Sequence, residues 1–90
     1  MSSVGPEVTD RQRVFADNVR RRRNELGLTQ EDLAFKAGID RTYIASLETG
    51  RRNVSLDLIG ELANALDCDA ADLVVGIQNA IGRERKRRSR

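Results

Sequence analysis

Residues 41–49 combine hydrogen-bonding side chains with an apolar spacing that predicts a short helix. Asp40 can cap its first turn, and Ile44 and Leu47 fall on one side, where they would anchor the helix in a core. Arginine can bond guanine with two hydrogen bonds, and threonine or serine can reach a base edge or a thymine methyl group. The opposite face therefore suits the floor of a DNA major groove. Its residues are Arg41, Thr42, Ala45, Ser46 and Thr49.

A second short helix precedes this one, across a turn. Thr29 is placed as an N-cap with Asp32 at the capping-box position, so a helix over residues 30–36 is predicted. Ala34 is small enough for the next helix to cross close to this one, and Gly38 supplies the positive φ that a tight turn needs. Two short helices joined by a glycine-containing turn form a helix-turn-helix unit.

Three further helices are predicted around this unit, and no segment shows the alternation of a strand. A first helix covers residues 11–26 ahead of Gly27, a fourth follows the N-cap Ser55, and a fifth follows the N-cap Asp69. The predicted fold class is therefore all-α, a compact domain of five helices. Its parts are a flexible lead over residues 1–10, a domain over residues 11–82 with the motif at about residues 30–49, and a basic, disordered tail over residues 83–90.

The charged residues are unevenly distributed. The chain has 16 Lys and Arg against 14 Asp and Glu, a net charge of +2. Residues 83–90 hold six of the basic residues and one acidic residue, which leaves ten basic and thirteen acidic residues in the body. Binding to a nucleic acid would therefore need the body's arginines gathered on one face. They do occur in groups, at residues 20–23, at Arg41 and at Arg51 with Arg52, although residues 20–22 are equally compatible with simple solvation.

The composition argues against catalysis, metal binding and membrane insertion. The chain has no histidine, one cysteine and no glycine-rich phosphate loop, so no enzyme activity, metal site or cofactor is expected. A chain of 90 residues leaves no room for a separate ligand-binding domain, so no small-molecule ligand is expected either. No apolar run reaches the roughly 18–20 residues of a membrane span. Cys68 has no partner for an internal disulfide, which predicts a cytoplasmic protein.

The sequence around the predicted turn resembles the Cro/C1-type, phage-repressor-like helix-turn-helix family. The similar stretches are LTQEDLA at residues 28–34, GI at residues 38–39 and IASLETG at residues 44–50, within a similarity from about Phe15 to Val74. RTYI at residues 41–44 and RNVS at residues 52–55 are most similar to the controller proteins of restriction–modification systems. The resemblance implies a lambda-repressor-like fold and a sequence-specific transcription regulator that binds double-stranded DNA.

The resemblance also implies roles for individual residues. Arg41, Thr42 and Ser46 occupy the positions with which the family reads bases. Arg41 stands where glutamine is frequent, so base specificity cannot be transferred from a relative. Arg23 and Glu48 match a pair that is commonly salt-bridged beneath the motif. Contacts to phosphate, sugar or base edges are implied for Gln30, Tyr43, Arg51, Arg52 and Asn53.

A homodimer is expected because a single helix-turn-helix reads only a few base pairs. Two recognition helices about 34 Å apart would bind a roughly palindromic operator. Leu73, Val74 and Ile77 form an apolar stripe that closes the core, and part of it is predicted to form the dimer contact. The alternative function is that of an antitoxin, which masks a toxin through residues 1–10 or 82–90 and also binds DNA. The basic tail is equally compatible with a solvated end and with added attraction to phosphates.

Overall fold

The computed structural model describes residues 8–88 of the 90-residue chain, and every regular element in that range is an α-helix. The all-α fold class predicted from the sequence is therefore confirmed. Within the same range no helix is both long and apolar enough to cross a membrane. The helices are α1 (Asp10–Glu25), α2 (Gln30–Ala37), α3 (Arg41–Glu48), α4 (Leu56–Ala65), α5 (Ala70–Val74) and α6 (Ile77–Arg88).

Side-chain caps set most of the helix starts. The hydroxyl groups of Thr9 and Thr29 accept hydrogen bonds from the third residue of α1 and α2, and the side chain of that residue accepts one from the cap in return. Ser55 and Asp69 cap α4 and α5, as expected from the sequence. Asp40 occupies the N-cap position of α3 without a side-chain capping hydrogen bond in the described structure. Each capping bond stabilises its helix by about 1 kcal/mol.

The cap at Thr9 places the start of α1 one residue before the predicted one. The expected flexible lead over residues 1–10 therefore gives way to ordered helix by Asp10, whose side chain is largely buried. The first turn is tied further, because Arg13 Nη1 donates a hydrogen bond of 3.1 Å to Asp10 Oδ1. Residues 1–7, the rest of the predicted lead, lie outside the described residues.

Gly38 makes the turn between α2 and α3. It adopts a left-handed conformation with φ of 69°, and its N–H donates to the carbonyl of Phe35 at 3.3 Å. The N–H of Ile39 donates to the carbonyl of Ala34 at 2.9 Å, which satisfies the last turn of α2. A side chain with a β-carbon disfavours this φ, so glycine at position 38 is required by the backbone and not by a lack of space.

One hydrophobic core joins the first five helices, and it fixes how α3 is rotated. Ile44 and Leu47 are both in this core, so the opposite side of α3 must face outward. The largest fully buried side chains are Val19, Leu33, Ile44, Leu47, Leu62, Leu66 and Leu73.

The segment predicted as one fifth helix is divided in two. Val75 is extended and Gly76 has a φ of 91°, so α5 ends at Val74 and α6 starts at Ile77. The break leaves backbone carbonyls without helical partners. Asn18 Nδ2, from α1, donates to the carbonyls of Leu73 and Val75 at 2.9 Å each. A buried side chain far away in the sequence thus stabilises a break that no local pattern predicts.

The structure also differs from the expected disordered tail, because residues 83–88 continue α6. Glu84 explains the difference: its carboxylate lies 3.0 Å from Arg11 Nε and accepts a hydrogen bond of 3.0 Å from the Arg11 backbone N–H. Ala80 is fully buried where α6 packs on α1. A charge run that looked solvated is therefore held by a partner on α1. Residues 89 and 90 lie outside the described residues.

Candidate nucleic-acid interface

The outer face of α3 carries the residues for which base contacts were predicted. Arg41 and Thr42 are exposed, and neither side chain has a hydrogen bond or ion pair with any of the described residues. Ile44 and Leu47, on the other side of the helix, are buried in the core. The helix is thus anchored on one side, while the side-chain donors and acceptors of Arg41 and Thr42 on the other side stay available to an external ligand.

Tyr43, Ser46 and Arg52 form a small cluster beside this face. The guanidinium carbon of Arg52 lies 4.7 Å from the centre of the Tyr43 ring, and Arg52 Nε donates to Ser46 Oγ at 3.1 Å. The Nη groups of Arg52 have no partner among the described residues. Because the stacking and the Nε bond hold the guanidinium plane, its two remaining nitrogens are presented as a fork of the kind that binds phosphate with two hydrogen bonds.

The loop between α3 and α4 turns sharply at Gly50. Its φ is 84°, and a β-carbon there would lie only 3.2 Å from Val8 Cγ1 and 3.4 Å from Arg13 Cγ, so both conformation and space require glycine. The loop therefore packs against the start of α1. Arg51 and Asn53 follow, both exposed and with side chains that have no partner in the described range.

Gln30 is placed differently from the exposed loop residues. It is the first residue of α2, it is half-buried, and its Nε2 donates to Glu48 Oε1 at 3.1 Å. The side chain for which a phosphate or base contact was predicted is therefore already bonded to the carboxylate at the end of α3. This bond joins the two helices of the motif.

Beneath the motif, Arg23 and Glu48 form a two-pronged ion pair. Arg23 Nε lies 2.7 Å from Glu48 Oε2 and Arg23 Nη2 lies 2.9 Å from Oε1, with the two side chains only 12% and 3% exposed. Arg23 Nη1 donates to the carbonyl of Leu28 at 2.7 Å. The hydrogen bond with Glu48 raises the pKa of the Arg23 guanidinium. The structure thus brings together the two residues predicted to pair, and they tie α1 to the end of α3.

The neighbouring arginines of α1 also bind within the protein. Arg20 pairs with Asp17 and donates to the carbonyl of Glu48 at 2.7 Å, which caps the end of α3. Arg22 donates to the carbonyls of Leu66 and Asp67, at 3.0 Å each, and so caps the end of α4. Arg21 Nη2 donates to the Asn18 side chain at 2.9 Å. Sequence reasoning missed these roles, because nothing in the local sequence identifies the distant carbonyls.

The residues proposed for the dimer contact differ in accessibility. Leu73 is 1% exposed and lies within the core of the monomer, so it supports the surface and offers no area to a partner. Ile77 is half-buried and packs against the same core. Val74 and Val75 are 36% and 60% exposed, respectively, so the accessible apolar surface at this end of α5 comes from them.

The remaining potentially reactive groups in residues 8–88 form neither a reactive-thiol site nor a metal site. Burial and the nearby carboxylate of Asp72 raise the pKa of the half-buried Cys68 thiol, which disfavours the reactive thiolate form. Within residues 8–88, no three metal-ligating side chains come close enough together to hold a metal ion.

The arrangement is that of a helix-turn-helix protein, with a short second helix anchored on one side and open on the other. The model of the helix-turn-helix family HTH_3 matches residues 19–73, more than half of the chain. The chain belongs to this family, of the Cro/C1 type, and is a DNA-binding transcriptional regulator.

Named relatives include controller proteins of restriction–modification systems. The chain is 41% identical over 75 residues to the control protein C.SmaI of Serratia marcescens, which covers 81% of this chain and 89% of that protein. The controller protein C.AhdI of Aeromonas hydrophila, known from a crystal structure, shares 45% sequence identity with this chain. The two structures align with a TM-score of 0.67 over 69% of this chain and 94% of that one. The controller protein C.Esp1396I, whose crystal structure shows a tetramer in complex with its natural 35-base-pair operator, shares 28% sequence identity with this chain. The structures align with a TM-score of 0.67 over 78% of this chain and 92% of that one.

Proposed function

We propose that the chain binds a roughly palindromic operator as a homodimer and thereby controls transcription, as a controller protein of a restriction–modification system does. The observation that carries this proposal is the contrast across α3. Its inner side is held by Ile44, Leu47 and the Arg23–Glu48 pair, while Arg41 and Thr42 are exposed and without a side-chain partner among the described residues. Arg41 and Thr42 can therefore reach base edges without first breaking internal bonds.

The proposed division of labour separates base contacts from phosphate contacts. Arg41, Thr42 and Ser46 select the sequence, because arginine and hydroxyl side chains match donor and acceptor patterns on base edges. Contacts to the sugar–phosphate backbone set register and orientation but carry little sequence information. These contacts are assigned to Gln30, Tyr43, Arg51, Arg52 and Asn53.

Dimerisation and the controller role draw support from different observations. Val74 and Val75 provide exposed apolar surface next to the core, which suits a contact between two copies. The relatives C.SmaI and C.AhdI are controller proteins, and C.Esp1396I is described as a tetramer on its operator. The proposal assigns this chain a binding role, with no catalysis and no cofactor.

Selection from random duplex DNA at moderate salt, followed by sequencing, tests the proposal. We expect a palindromic motif with two half-sites about one helical turn apart, roughly 34 Å between centres. A single unpaired half-site would contradict the dimer, and the absence of any enriched motif would contradict sequence reading altogether. Sedimentation of the protein with and without the selected duplex gives the number of chains bound.

The antitoxin alternative gains no support from the described residues. One segment it would use for toxin binding begins at Gly82, and the structure places residues 82–88 within α6, where Glu84 is bonded to Arg11. The other segment, residues 1–10, lies mostly outside the described residues. A failed DNA selection followed by co-purification of a small partner protein would bring this alternative forward.

A further inference from the structure

The C-terminal half of α6 is a basic helical end that the family match does not include. The match stops at residue 73, and α6 begins at Ile77. Arg83, Arg85 and Lys86 are exposed there, and the side chain of Arg83 is 57% exposed. Arg85 has no hydrogen bond or ion pair with any described residue.

Ionic contacts fix this basic end at the beginning of α1. Glu84 bonds both the side chain and the backbone N–H of Arg11, each at 3.0 Å. Arg83 Nε lies 3.9 Å from Asp10 Oδ2, and Asp10 Oδ1 also accepts from Arg13 at 3.1 Å. Glu84 and the longer Arg83–Asp10 contact therefore hold this basic end beside α1, while the side chain of Arg83 stays more than half exposed.

The start of α1 in turn touches the loop to which phosphate contacts are assigned. Gly50 packs closely against Val8 and Arg13. A groove of about 350 Å³ nearby is lined by Arg11 of α1 and by Arg52 and Asn53 of the loop, among other residues. Consecutive contacts therefore link the basic end of α6, through the start of α1, to the loop at residues 50–53.

We propose that Arg83 and Arg85 on α6 bind backbone phosphates of the same DNA duplex, flanking the half-site that α3 reads. This proposal rests on the proposed function. The body of the chain has three more acidic than basic residues, so a local basic element offsets repulsion from the DNA backbone. Arg83 and Arg85 are separated by about 3 Å along the axis of α6 and by about 200° around it, so the two side chains would reach separate phosphates.

The neighbouring loop favours DNA over other polyanions, because contacts to the backbone of a duplex are already assigned to it. This loop presents the exposed Arg51 and the open Nη groups of the exposed Arg52, and Arg52 lines the groove. A duplex that contacts this loop brings its own backbone to the start of α1, and a rigid basic helix end binds it at a smaller entropic cost than a flexible tail would. Phosphate contacts of this kind strengthen binding to every sequence alike.

The test compares the wild type with Arg83→Gln/Arg85→Gln on the selected operator with long flanks. The logarithm of the binding constant is measured against the logarithm of the salt concentration. This slope is negative. We expect its magnitude to decrease by about 0.9 for each phosphate that the variant no longer neutralises, and therefore by about 1–2. The ratio of affinities for operator and scrambled duplex should stay unchanged. The matched variant Arg83→Lys/Arg85→Lys keeps both charges and should retain the wild-type slope.

Two further measurements keep the result interpretable. Arg85→Gln alone removes a side chain without a described partner, so it leaves the fold intact and should lower the slope by about 0.9. Trimming the operator flanks should weaken the wild type several-fold and leave Arg83→Gln/Arg85→Gln unchanged. If wild type binds the operator and neither Gln variant alters slope or affinity, the α6 contact is refuted while the proposed function stands. If wild type binds no selected sequence, the proposed function itself fails.

Discussion

The arginines of α1 and those of α3 and its loop carry the same guanidinium group but differ in their partners within the protein. Arg20, Arg22 and Arg23 each bond to a carbonyl or carboxylate elsewhere in the protein. Arg41 and Arg51 are exposed, and their side chains have no partner among the described residues. In the sequence, residues 20–22 and the arginines of α3 and its loop are all candidates for DNA contact, whereas Arg23 is predicted to pair with Glu48.

The difference shows that the role of an arginine depends more on its bonding partners within the protein than on its membership of a basic cluster in the sequence. A guanidinium already bonded to a helix end or a buried carboxylate would have to break those bonds before it could bind phosphate. A guanidinium in solvent gives up only hydration. The α1 arginines should therefore contribute to stability, and the α3 and loop arginines should contribute to binding.

Arg23→Ala should produce the largest effect, on stability. It leaves the Glu48 carboxylate buried without its ionic partner, which typically costs about 3–5 kcal/mol. Denaturant unfolding followed by circular dichroism measures the loss of unfolding free energy. The double variant Arg23→Ala/Glu48→Ala should lose less than the sum of the single variants, since it removes the stranded charge. If Arg23→Ala lowered the unfolding free energy by less than about 1 kcal/mol, the pair would contribute no more than an exposed ion pair, and the contrast between the two groups of arginines would fail for Arg23.

Arg41→Ala should produce the next largest effect, on binding alone. We expect a cost of about 1–3 kcal/mol at the cognate base pair and relaxed specificity there. Its unfolding free energy should change by no more than about 0.5 kcal/mol, since it is exposed and unpartnered. Affinities for operators substituted at each position test the assignment. Equal weakening on every sequence would show that Arg41 contacts phosphate and does not read a base.

Arg22→Ala should have the reverse effect of Arg41→Ala, lowering stability and leaving DNA affinity unchanged. It removes two hydrogen bonds from the carbonyls of Leu66 and Asp67 at the end of α4, so we expect a loss of stability of about 1–2 kcal/mol. The affinity for the operator, measured well below the melting temperature, should match the wild type. A large drop in affinity with little change in stability would assign Arg22 to the interface and weaken the contrast.

Arg51→Ala should give the smallest effect. Without its phosphate contact, the variant should bind operator and scrambled DNA about equally less tightly, and its salt slope should be lower by roughly 1. Melting temperatures of free protein should agree within error, because Arg51 has no described partner. An unchanged slope together with a sequence-dependent loss of affinity would move this residue from the phosphate contacts to the base contacts.

Much of the fold follows from local pattern. The N-cap residues Thr29, Ser55 and Asp69 and the turn at Gly38 are where the sequence indicates, because these features depend on residues three or four positions apart. The rotation of α3 was also predictable, since Ile44 and Leu47 mark its inner side. The break at Gly76 was not, because the helical spacing of Leu73, Val74, Ile77 and Ile81 is equally consistent with one continuous helix.

The candidate site divides in the same way. The amino-acid sequence by itself determined which residue types stand on the outer face of α3, because helical periodicity and a buried apolar stripe suffice for that. The folded molecule decided how the other predicted contact groups are held: Gln30 is bonded to Glu48, Arg52 is stacked on Tyr43, and α6 is clamped to Arg11 by Glu84. Arg11 and Glu84 are 73 positions apart. Periodicity predicts the direction of a side chain, whereas its partner depends on which carbonyls and carboxylates the packing of distant helices leaves within reach.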